Sequence, residues 1–360
     1  MAENGAVVDD VRQRLVRLTP ASSIQPRPVR WVWRDRVPTG EVTLTPGRGG
    51  IGKSSFHAWF IARVSRGEVD GVWFGQPKAC VIAATEDSWD RTIVPRLAVA
   101  GADLDRVYRV DVVTDIGGEV AISLPADLAS LEAELLAHDV AVLSVDPLLG
   151  VVHGSLDTHK DRDVRQALEP LARLADRTSC AVLGNAHFNK STGTDPLALI
   201  MGSAAFGNVS RAALGFARDE SEGGACVISQ IKNNLGRLDL PSLQYRIEEA
   251  HLDTAEGVAS VGRFVLVGES ARSVADILAD TGSAEERDER DAAAEFVRQF
   301  LTDKGGSAPA GEVIKAGRDA GFKEDAIKKA RKRAGVRTRK DDFSSPWIWT
   351  LDHLQGAEDA

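Results

Sequence analysis

The hydrophobic and polar positions of the first 200 residues predict a parallel β-sheet covered by helices. Short continuous apolar runs predict strands that are buried on both faces. Between these runs, apolar residues spaced three and four apart predict amphipathic helices. The predicted strands are 41–46, 79–85, 107–113, 139–146 and 180–186. The first predicted helix ends near residue 66, and the others span 88–101, 128–138 and 160–177. Strands that alternate with helices in this way are typical of repeated βαβ units.

The chain on either side of this region follows different patterns. Before residue 40, four prolines predict extended chain with one short helix at about 8–18, and the alternating Trp31 and Trp33 predict an edge strand or a lid segment. After residue 210, short connections between apolar runs predict an antiparallel extension of the sheet. The strands of that extension are predicted at 212–217, 225–231, 243–248 and 262–267.

A separate small α+β unit is predicted near the carboxyl terminus. Apolar stripes predict helices over 291–302, 308–319 and 323–334, and the alternation at 347–351 predicts a last strand after a turn at 341–342. Three helices followed by a β-hairpin are typical of a winged helix. The predicted division is a lead-in or lid over 1–40, an α/β domain over 41–270, a charged linker or exposed helix face over 271–290, and the winged-helix-like unit over 291–352.

A glycine-rich segment follows the first predicted buried strand and opens a helix. The run from Gly47 to Ser54 matches the phosphate-binding pattern GxxxxGK[ST]. Its backbone N–H groups would surround phosphates, Lys53 would reach the β and γ phosphates, and the Ser54 hydroxyl would hold Mg²⁺. We therefore expect ATP and Mg²⁺ as cofactors. The predicted nucleotide-binding residues are Gly47, Gly49, Gly50, Ile51, Gly52, Lys53, Ser54 and Ser55.

Polar residues follow the ends of three other predicted strands, which in a parallel sheet share the edge of the phosphate loop. Asp146 is the candidate second metal residue beside Ser54, with capping of the next turn as the alternative. Glu86 is the candidate base for the attacking water, with a helix N-terminal acid as the alternative. His187, which follows Asn185, is the candidate sensor of the γ-phosphate, and a buried structural histidine is the alternative.

The order of these motifs resembles that of the RecA-like P-loop ATPases. The segments GRGGIGKSS, VIAATEDSWD, LSVDPL, GNAHFNK and GSAAFGNVSRAA, within about residues 20–250, are most similar to the branch that contains the plasmid RepA hexameric helicase and its phage and mobile-element relatives. The resemblance implies a RecA-like core in which Glu86 is the catalytic base, Asp146 the metal aspartate and His187 the sensor. It also implies that the loops 148–160 and 189–202 face single-stranded DNA in a central channel.

Two cations are candidates for completing the site of a neighbouring subunit. Lys232, in the stretch KNNLG, is similar to a lysine motif that RecA-like rings insert into the neighbour's nucleotide, and Arg211 lies where such proteins often carry an arginine finger. An ordinary surface cation is the alternative for each. KNNLG lacks the arginine found in several relatives, so the identity of the trans-acting cation stays open. A cation supplied on assembly predicts a homo-oligomer, either a ring of six or a filament.

Composition and charge limit where the protein can bind DNA. The chain of 360 residues carries a net charge of −9 and three widely spaced cysteines, which fit no disulfide framework and indicate a reducing, cytoplasmic setting. No apolar stretch is long enough to predict a membrane span. Eight basic residues and no acid lie within 326–340, which leaves 36 − 53 = −17 for the rest of the chain. DNA contact should therefore be local.

The basic residues of that segment are predicted to bind the phosphates of duplex DNA. A solvated helix face, or a surface for an acidic partner, is the alternative. The predicted DNA-binding residues are Lys328, Lys329, Arg331, Lys332, Arg333, Arg337, Arg339 and Lys340.

Together these features predict a ring-forming, Mg²⁺-dependent ATPase that acts on DNA. It would be a replicative helicase, or a helicase loader or recombination accessory motor, of a phage, plasmid or integrated element, with replication or recombination proteins as further partners. The alternative is a DNA-binding regulator that uses ATP as a switch. A small-molecule kinase fits less well, because no arginine-rich lid is recognisable and the carboxyl-terminal unit would stay unexplained.

Overall fold

A computed structural model describes residues 16–115, 117–189, 193–202, 204–219, 224–280, 284–339 and 347–351. The helix predicted at about 8–18 falls almost entirely outside these residues. The strands are β1 (Trp31–Trp33), β2 (Val37–Pro38), β3 (Val42–Gly47), β4 (Ala79–Ala84), β5 (Val107–Arg109), β6 (Val112–Val113), β7 (Glu119–Val120), β8 (Val140–Asp146), β9 (Ala181–His187), β10 (Ala212–Asp219), β11 (Ala225–Asn233), β12 (Ser242–Thr254), β13 (Gly257–Ser270), β14 (Ser307–Pro309), β15 (Val336–Arg339) and β16 (Ile348–Leu351). The helices are α1 (Lys53–Ser65), α2 (Val94–Val99), α3 (Leu128–Ala137), α4 (Asp161–Thr178), α5 (Ala205–Val209), α6 (Val274–Asp280), α7 (Ala284–Asp303), α8 (Ala310–Asp319) and α9 (Glu324–Arg333).

A nine-stranded sheet forms the centre of the larger unit, in the order β13-β12-β11-β10-β3-β9-β8-β4-β5. The six strands from β10 to β5 are parallel. Strands β11 to β13 add an antiparallel extension next to β10. The predicted α/β fold is therefore confirmed. Because parallel strands end at the same edge, this order brings the carboxyl ends of β3, β4, β8, β9 and β10 together.

Helices cover both faces of this sheet, because alternate residues of the buried strands point to opposite sides. On β4, Cys80 and Ile82 pack in the cluster that contains α1 and α2. Val81 and Ala83 pack in the cluster that contains α3, α4 and α6. The continuous apolar runs of the sequence are thus explained by burial on two sides.

The structure corrects the sequence-based expectation for β10. We expected residues 212–217 to begin the antiparallel extension, but β10 pairs with β3 in parallel. The connection from β9 to β10 is long and includes α5, and a crossover of this kind returns the chain in the same direction. The antiparallel extension therefore begins at β11.

Two further segments differ from their predicted form. Residues 107–113 do not form one strand, since β5 joins the large sheet while β6 pairs with β7 beyond a turn closed by Thr114 and Gly118. The helix predicted over 88–101 is a π-helical turn, Trp89–Ile93, followed by α2. Pro95 stands at the start of α2, and because proline lacks an N–H it is tolerated there rather than inside a longer helix.

Strands β12 and β13 form a long hairpin that extends beyond the sheet and packs over α1. The ring of Phe264 lies 5.5 Å from that of Phe56 and 5.2 Å from that of Trp59. It also stacks on Tyr245 at 4.8 Å. These aromatic contacts bury the hairpin's inner face against the helix that follows the phosphate loop.

The carboxyl-terminal unit contains α7, α8 and α9 and a three-stranded antiparallel sheet in the order β14-β16-β15. Its apolar cluster includes Val297, Leu301, Val313, Ile327 and Trp349. The stretch expected to be a linker is largely helical, with α6 and the first turns of α7. The second helix begins at Ala310, because Ser307–Pro309 form β14, a strand that the sequence did not predict. No helix within the described residues is long and apolar enough to span a membrane.

Candidate functional site

The phosphate loop connects β3 to α1 at the carboxyl edge of the sheet. Gly52 has φ +89°, and a Cβ there would lie 2.6 Å from Ile247 Cδ1 on the hairpin. At Gly47 a Cβ would lie 2.9 Å from the carbonyl oxygen of Phe216 on β10. Both positions therefore require glycine. The Tyr245 hydroxyl donates a 2.5 Å hydrogen bond to the carbonyl oxygen of Ile51, so the hairpin also holds the loop.

Lys53 stands at the start of α1 and points back into the loop. Its Nζ donates to the carbonyl oxygens of Gly47 (3.1 Å) and Arg48 (2.8 Å). Burial lowers the pKa of Lys53 to about 8, and the charge of Asp146 acts in the opposite direction. A buried ammonium with only carbonyl partners is poised to bind phosphate oxygens, which supply the missing negative charge.

The candidate metal residues bring hard oxygen ligands to this edge. Ser54 follows Lys53 on α1, and Asp146 ends β8. Asn185 Nδ2 donates a hydrogen bond to Asp146 Oδ1, while Asn185 Oδ1 is buried without a hydrogen-bond partner among the described residues. That orphaned acceptor would be satisfied by a water molecule of hydrated Mg²⁺. The residues therefore fit the ion, which would keep several water molecules because no group of three or more His, Cys, Asp or Glu converges in the described chain.

Glu86 and His187 border the same cavity of about 570 Å³ as Lys53 and Asp146. Glu86 is exposed just beyond the end of β4, where its carboxylate can reach a water molecule. His187 pairs with Gly47 in the sheet register. Its pKa is lowered, first by burial and then by the charge of Lys53, while Glu86 and Asp146 raise it. Of the predicted catalytic residues, Lys53, Glu86 and His187 thus come together at this cavity.

The cavity also contains residues that the sequence reasoning missed. Arg218, an exposed cation near the end of β10, borders the cavity. Ile247 and Gly262 contribute from the hairpin. The sequence signal for Arg218 is a cation at the end of an apolar run. This signal indicates the present site only if β10 is known to run parallel to β3. His57, buried on α1, is a further lining residue.

Arg211 and Lys232 lie at the opposite end of the sheet from their own phosphate loop. The backbone N–H of Arg211 donates to the carbonyl oxygen of Val42, five residues before Gly47, which places it about 16 Å from the loop. Lys232 donates from Nζ to the carbonyl oxygens of Gly207 (2.6 Å) and Ser210 (2.8 Å). Arg211 is exposed. Both cations therefore lie away from the phosphate loop of the same chain, and of the two Arg211 is the more exposed.

Six of the eight predicted DNA-binding residues lie exposed on α9 and β15. Lys328 pairs with Glu324 at 2.8 Å, Arg331 lies over the Trp349 ring at 5.9 Å, and Arg333 pairs with Asp280. The other exposed cations of this surface are Lys329, Arg337 and Arg339. The Lys332 side chain and Lys340 lie outside the described residues. We call the six described cations the basic surface.

Comparisons with known proteins identify a family to which this chain is similar. Residues 12–193 match the family model of the AAA domain, and this range includes Lys53, Glu86, Asp146 and His187. No curated protein matches the sequence. Among solved structures, a KaiC-like protein from the hyperthermophilic archaeon Pyrococcus horikoshii aligns over 65% of this chain and 100% of that chain, with 15% identity and a TM-score of 0.45.

Proposed function

Since this chain belongs to the AAA domain family, we propose that it is a Mg²⁺-dependent ATPase that acts on DNA as a ring of identical subunits. The proposed role is that of a replicative helicase, or of a helicase loader or recombination accessory motor, in a phage, plasmid or integrated element. The observation that carries the ATPase assignment is the convergence of Lys53, Ser54, Glu86, Asp146 and His187 on one cavity.

Each of these side chains has a distinct chemical role in the proposal. The loop N–H groups and Lys53 bind the β and γ phosphates. Ser54 and Asp146 would hold Mg²⁺, which neutralises phosphate charge. Glu86 orients the attacking water and accepts its proton, and His187 donates a hydrogen bond to the γ-phosphate. Ile247 and Gly262 of the hairpin border the same cavity and cover part of it.

The ring is supported by the position of Arg211. An exposed arginine at the far end of the sheet can complete a neighbouring subunit's site but not its own. Negative charge that develops on the transferred phosphoryl group would then be stabilised only after assembly. Hydrolysis would thus depend on contact between subunits.

The DNA assignment is supported by the basic surface of the carboxyl-terminal unit. Its exposed cations lie on one helix and the strand that follows, whereas the whole chain has a net charge of −9. A local cluster of this kind binds phosphates with a strong dependence on salt. An exposed helix beside a short antiparallel sheet is also the arrangement with which winged-helix proteins enter a groove.

The alternative is a DNA-binding regulator that uses ATP as a switch. It is favoured by the composition of the loops 148–160 and 189–202, whose basic residues are His153, His159, Lys160 and Lys190, without a dense basic cluster. Lys160 is moreover paired with Asp157 at 3.5 Å. A channel that grips single-stranded DNA would be expected to carry more positive charge.

One pair of measurements tests the proposal. The full chain should assemble from a smaller species into a ring when a non-hydrolysable ATP analogue is added, as measured by light scattering after gel filtration. ATP hydrolysis should rise several-fold with single-stranded DNA. A monomer both with and without the analogue would overturn the ring. Tight ATP binding, with hydrolysis that no nucleic acid stimulates, would favour the switch.

A further inference from the structure

His57 lies on α1 one turn beyond Lys53, buried beneath the phosphate loop. Its Nε2 lies 2.7 Å from Thr45 Oγ1 on β3, and its Nδ1 lies 2.8 Å from Ser144 Oγ on β8. The imidazole therefore ties the helix that carries Ser54 to two strands. One of these strands ends in the phosphate loop and the other ends at Asp146.

The directions of these hydrogen bonds follow from counting protons. Thr45 Oγ1 also donates to the carbonyl oxygen of Gly184 at 3.2 Å. Because a hydroxyl has a single proton, Thr45 then accepts from the N–H at His57 Nε2, which leaves His57 Nδ1 to accept the proton of Ser144. Ser144 lines the cavity, so it presents only acceptor lone pairs to whatever binds there.

The electrostatics of the site agree with this assignment. The pKa of His57 is lowered to about 4, chiefly by burial; the charge of Asp146 acts in the opposite direction, and that of Lys53 adds to the lowering. The imidazole is therefore neutral at pH 7. Only the neutral ring has a nitrogen that can accept the Ser144 proton.

Acceptor oxygens surround the part of the cavity next to Asp146. Ser144 and Asp146 are two residues apart on β8 and project from the same face. On the adjacent strand, Asn185 Oδ1 is buried and has no hydrogen-bond partner among the described residues. Water molecules bound to Mg²⁺ are strong hydrogen-bond donors, so a group of acceptors at this place suits the ion's water shell.

We propose that His57 is a positioning residue that fixes Ser144 as an acceptor for the water shell of nucleotide-bound Mg²⁺. It also holds α1, and with it Ser54, against the strand that carries Asp146. His57 acts through Ser144 and not by binding the nucleotide. This inference rests on the proposed use of Mg²⁺ and ATP in the cavity.

The test compares two amide replacements in the full chain. In His57→Asn the amide takes the place of Nδ1 and keeps a partner for Ser144, whereas in His57→Gln it takes the place of Nε2 and keeps only Thr45. The readout is the affinity for a fluorescent ATP analogue with Mg²⁺ and with EDTA, together with kcat and KM. We expect His57→Gln and Ser144→Ala to reduce the Mg²⁺-dependent gain in affinity about tenfold, with kcat falling more than KM changes. Affinity in EDTA should stay unchanged, and His57→Asn should remain close to the wild-type protein.

Thr43 offers a matched control for Thr45, the partner of His57 Nε2. It lies on β3 two residues before Thr45, and its buried hydroxyl has no partner among the described residues. Thr45→Val should weaken Mg²⁺-dependent binding, because without an acceptor at Nε2 the ring proton can move to Nδ1, which would then donate to Ser144 and free the Ser144 proton to face the cavity. In His57→Asn no such shift of a ring proton is possible, and Thr43→Val should leave binding unchanged.

The inference is overturned if His57→Gln and Ser144→Ala keep the full Mg²⁺-dependent gain, or if His57→Asn is as damaging as His57→Gln. Should His57→Gln fail to fold, as judged by thermal unfolding, Ser144→Ala decides alone. Failure of the proposed function looks different, because the wild-type chain itself would then show no Mg²⁺-dependent ATP binding or hydrolysis.

Discussion

Asn185 on β9 donates a hydrogen bond to the carboxylate of Asp146 on the adjacent strand β8. The bond fixes one oxygen of the carboxylate and leaves the other available to the cavity. It also joins the strand that carries the candidate metal residue to the strand that ends at His187. Residues that orient a metal ligand in this way commonly change activity by one to two orders of magnitude when they are replaced.

Replacing Asn185 should therefore impair catalysis more than nucleotide binding. We expect Asn185→Leu to lower kcat about 10- to 100-fold, while affinity for ATP in EDTA stays unchanged because the phosphate loop is intact. Steady-state hydrolysis and binding of a fluorescent nucleotide measure the two effects. Asn208→Leu, at an exposed position on α5, is the control. Wild-type kcat in Asn185→Leu would contradict the role of this hydrogen bond.

Removing the proposed base should separate binding from hydrolysis. Glu86→Gln keeps the size of the side chain but cannot accept a proton from water, so kcat should fall about 10²- to 10⁴-fold. Affinity for ATP should change little, since, among the described residues, Glu86 forms no hydrogen bond with the phosphate loop or with Lys53. The matched control is Glu119→Gln on the exposed strand β7. Near-normal hydrolysis in Glu86→Gln would remove Glu86 from its proposed role.

The trans action of Arg211 can be tested by mixing two inactive variants. Lys53→Ala destroys its own site but still supplies Arg211 to a neighbour, and Arg211→Ala has the reverse defect. A mixture should recover hydrolysis that neither variant shows alone, because some interfaces combine an intact loop with an intact arginine. Arg106→Ala, which removes an exposed arginine paired with Asp103 at 3.0 Å, should behave like the wild-type chain.

The same mixing experiment distinguishes the two candidate cations. If Lys232→Ala complements Lys53→Ala while Arg211→Ala keeps full activity alone, Lys232 is the trans-acting residue and must leave its contacts with Gly207 and Ser210 on assembly. If no mixture recovers activity, the idea of a site shared between subunits is wrong.

DNA binding by the basic surface should respond to single charge reversals. Lys329→Glu on α9 should weaken duplex binding at every sequence alike and lower the slope of log K against log salt by about one. Lys304→Glu, in the turn directly after α7 in the same unit, makes the same change in net charge and is the control. Fluorescence anisotropy over a range of salt concentrations measures both. Equal effects of the two variants would assign the binding to net charge alone. If neither variant changed the affinity for duplex DNA, the proposed DNA-binding surface would be contradicted.

Much of this protein was predictable from local sequence signals. The glycine-rich loop between a strand and a helix fixed the place of Lys53 and Ser54, because positive φ values and close backbone approach allow only glycine there. The continuous apolar runs identified the buried strands, and their ends located Glu86, Asp146 and His187 at one edge. The stripes of apolar residues likewise identified the helices of the carboxyl-terminal unit.

Tertiary structure alone decided how distant segments meet. The parallel pairing of β10 depends on the path of the chain between strands, which no local pattern records. That pairing brings Arg218 to the cavity and places Arg211 at the far end of the sheet. The partnership of His57 with Thr45 and Ser144 joins a helix to two strands, so its hydrogen bonds exist only after the sheet and α1 have packed. Local sequence therefore determined which chemical groups this protein carries, and long-range packing determined which of them share a site.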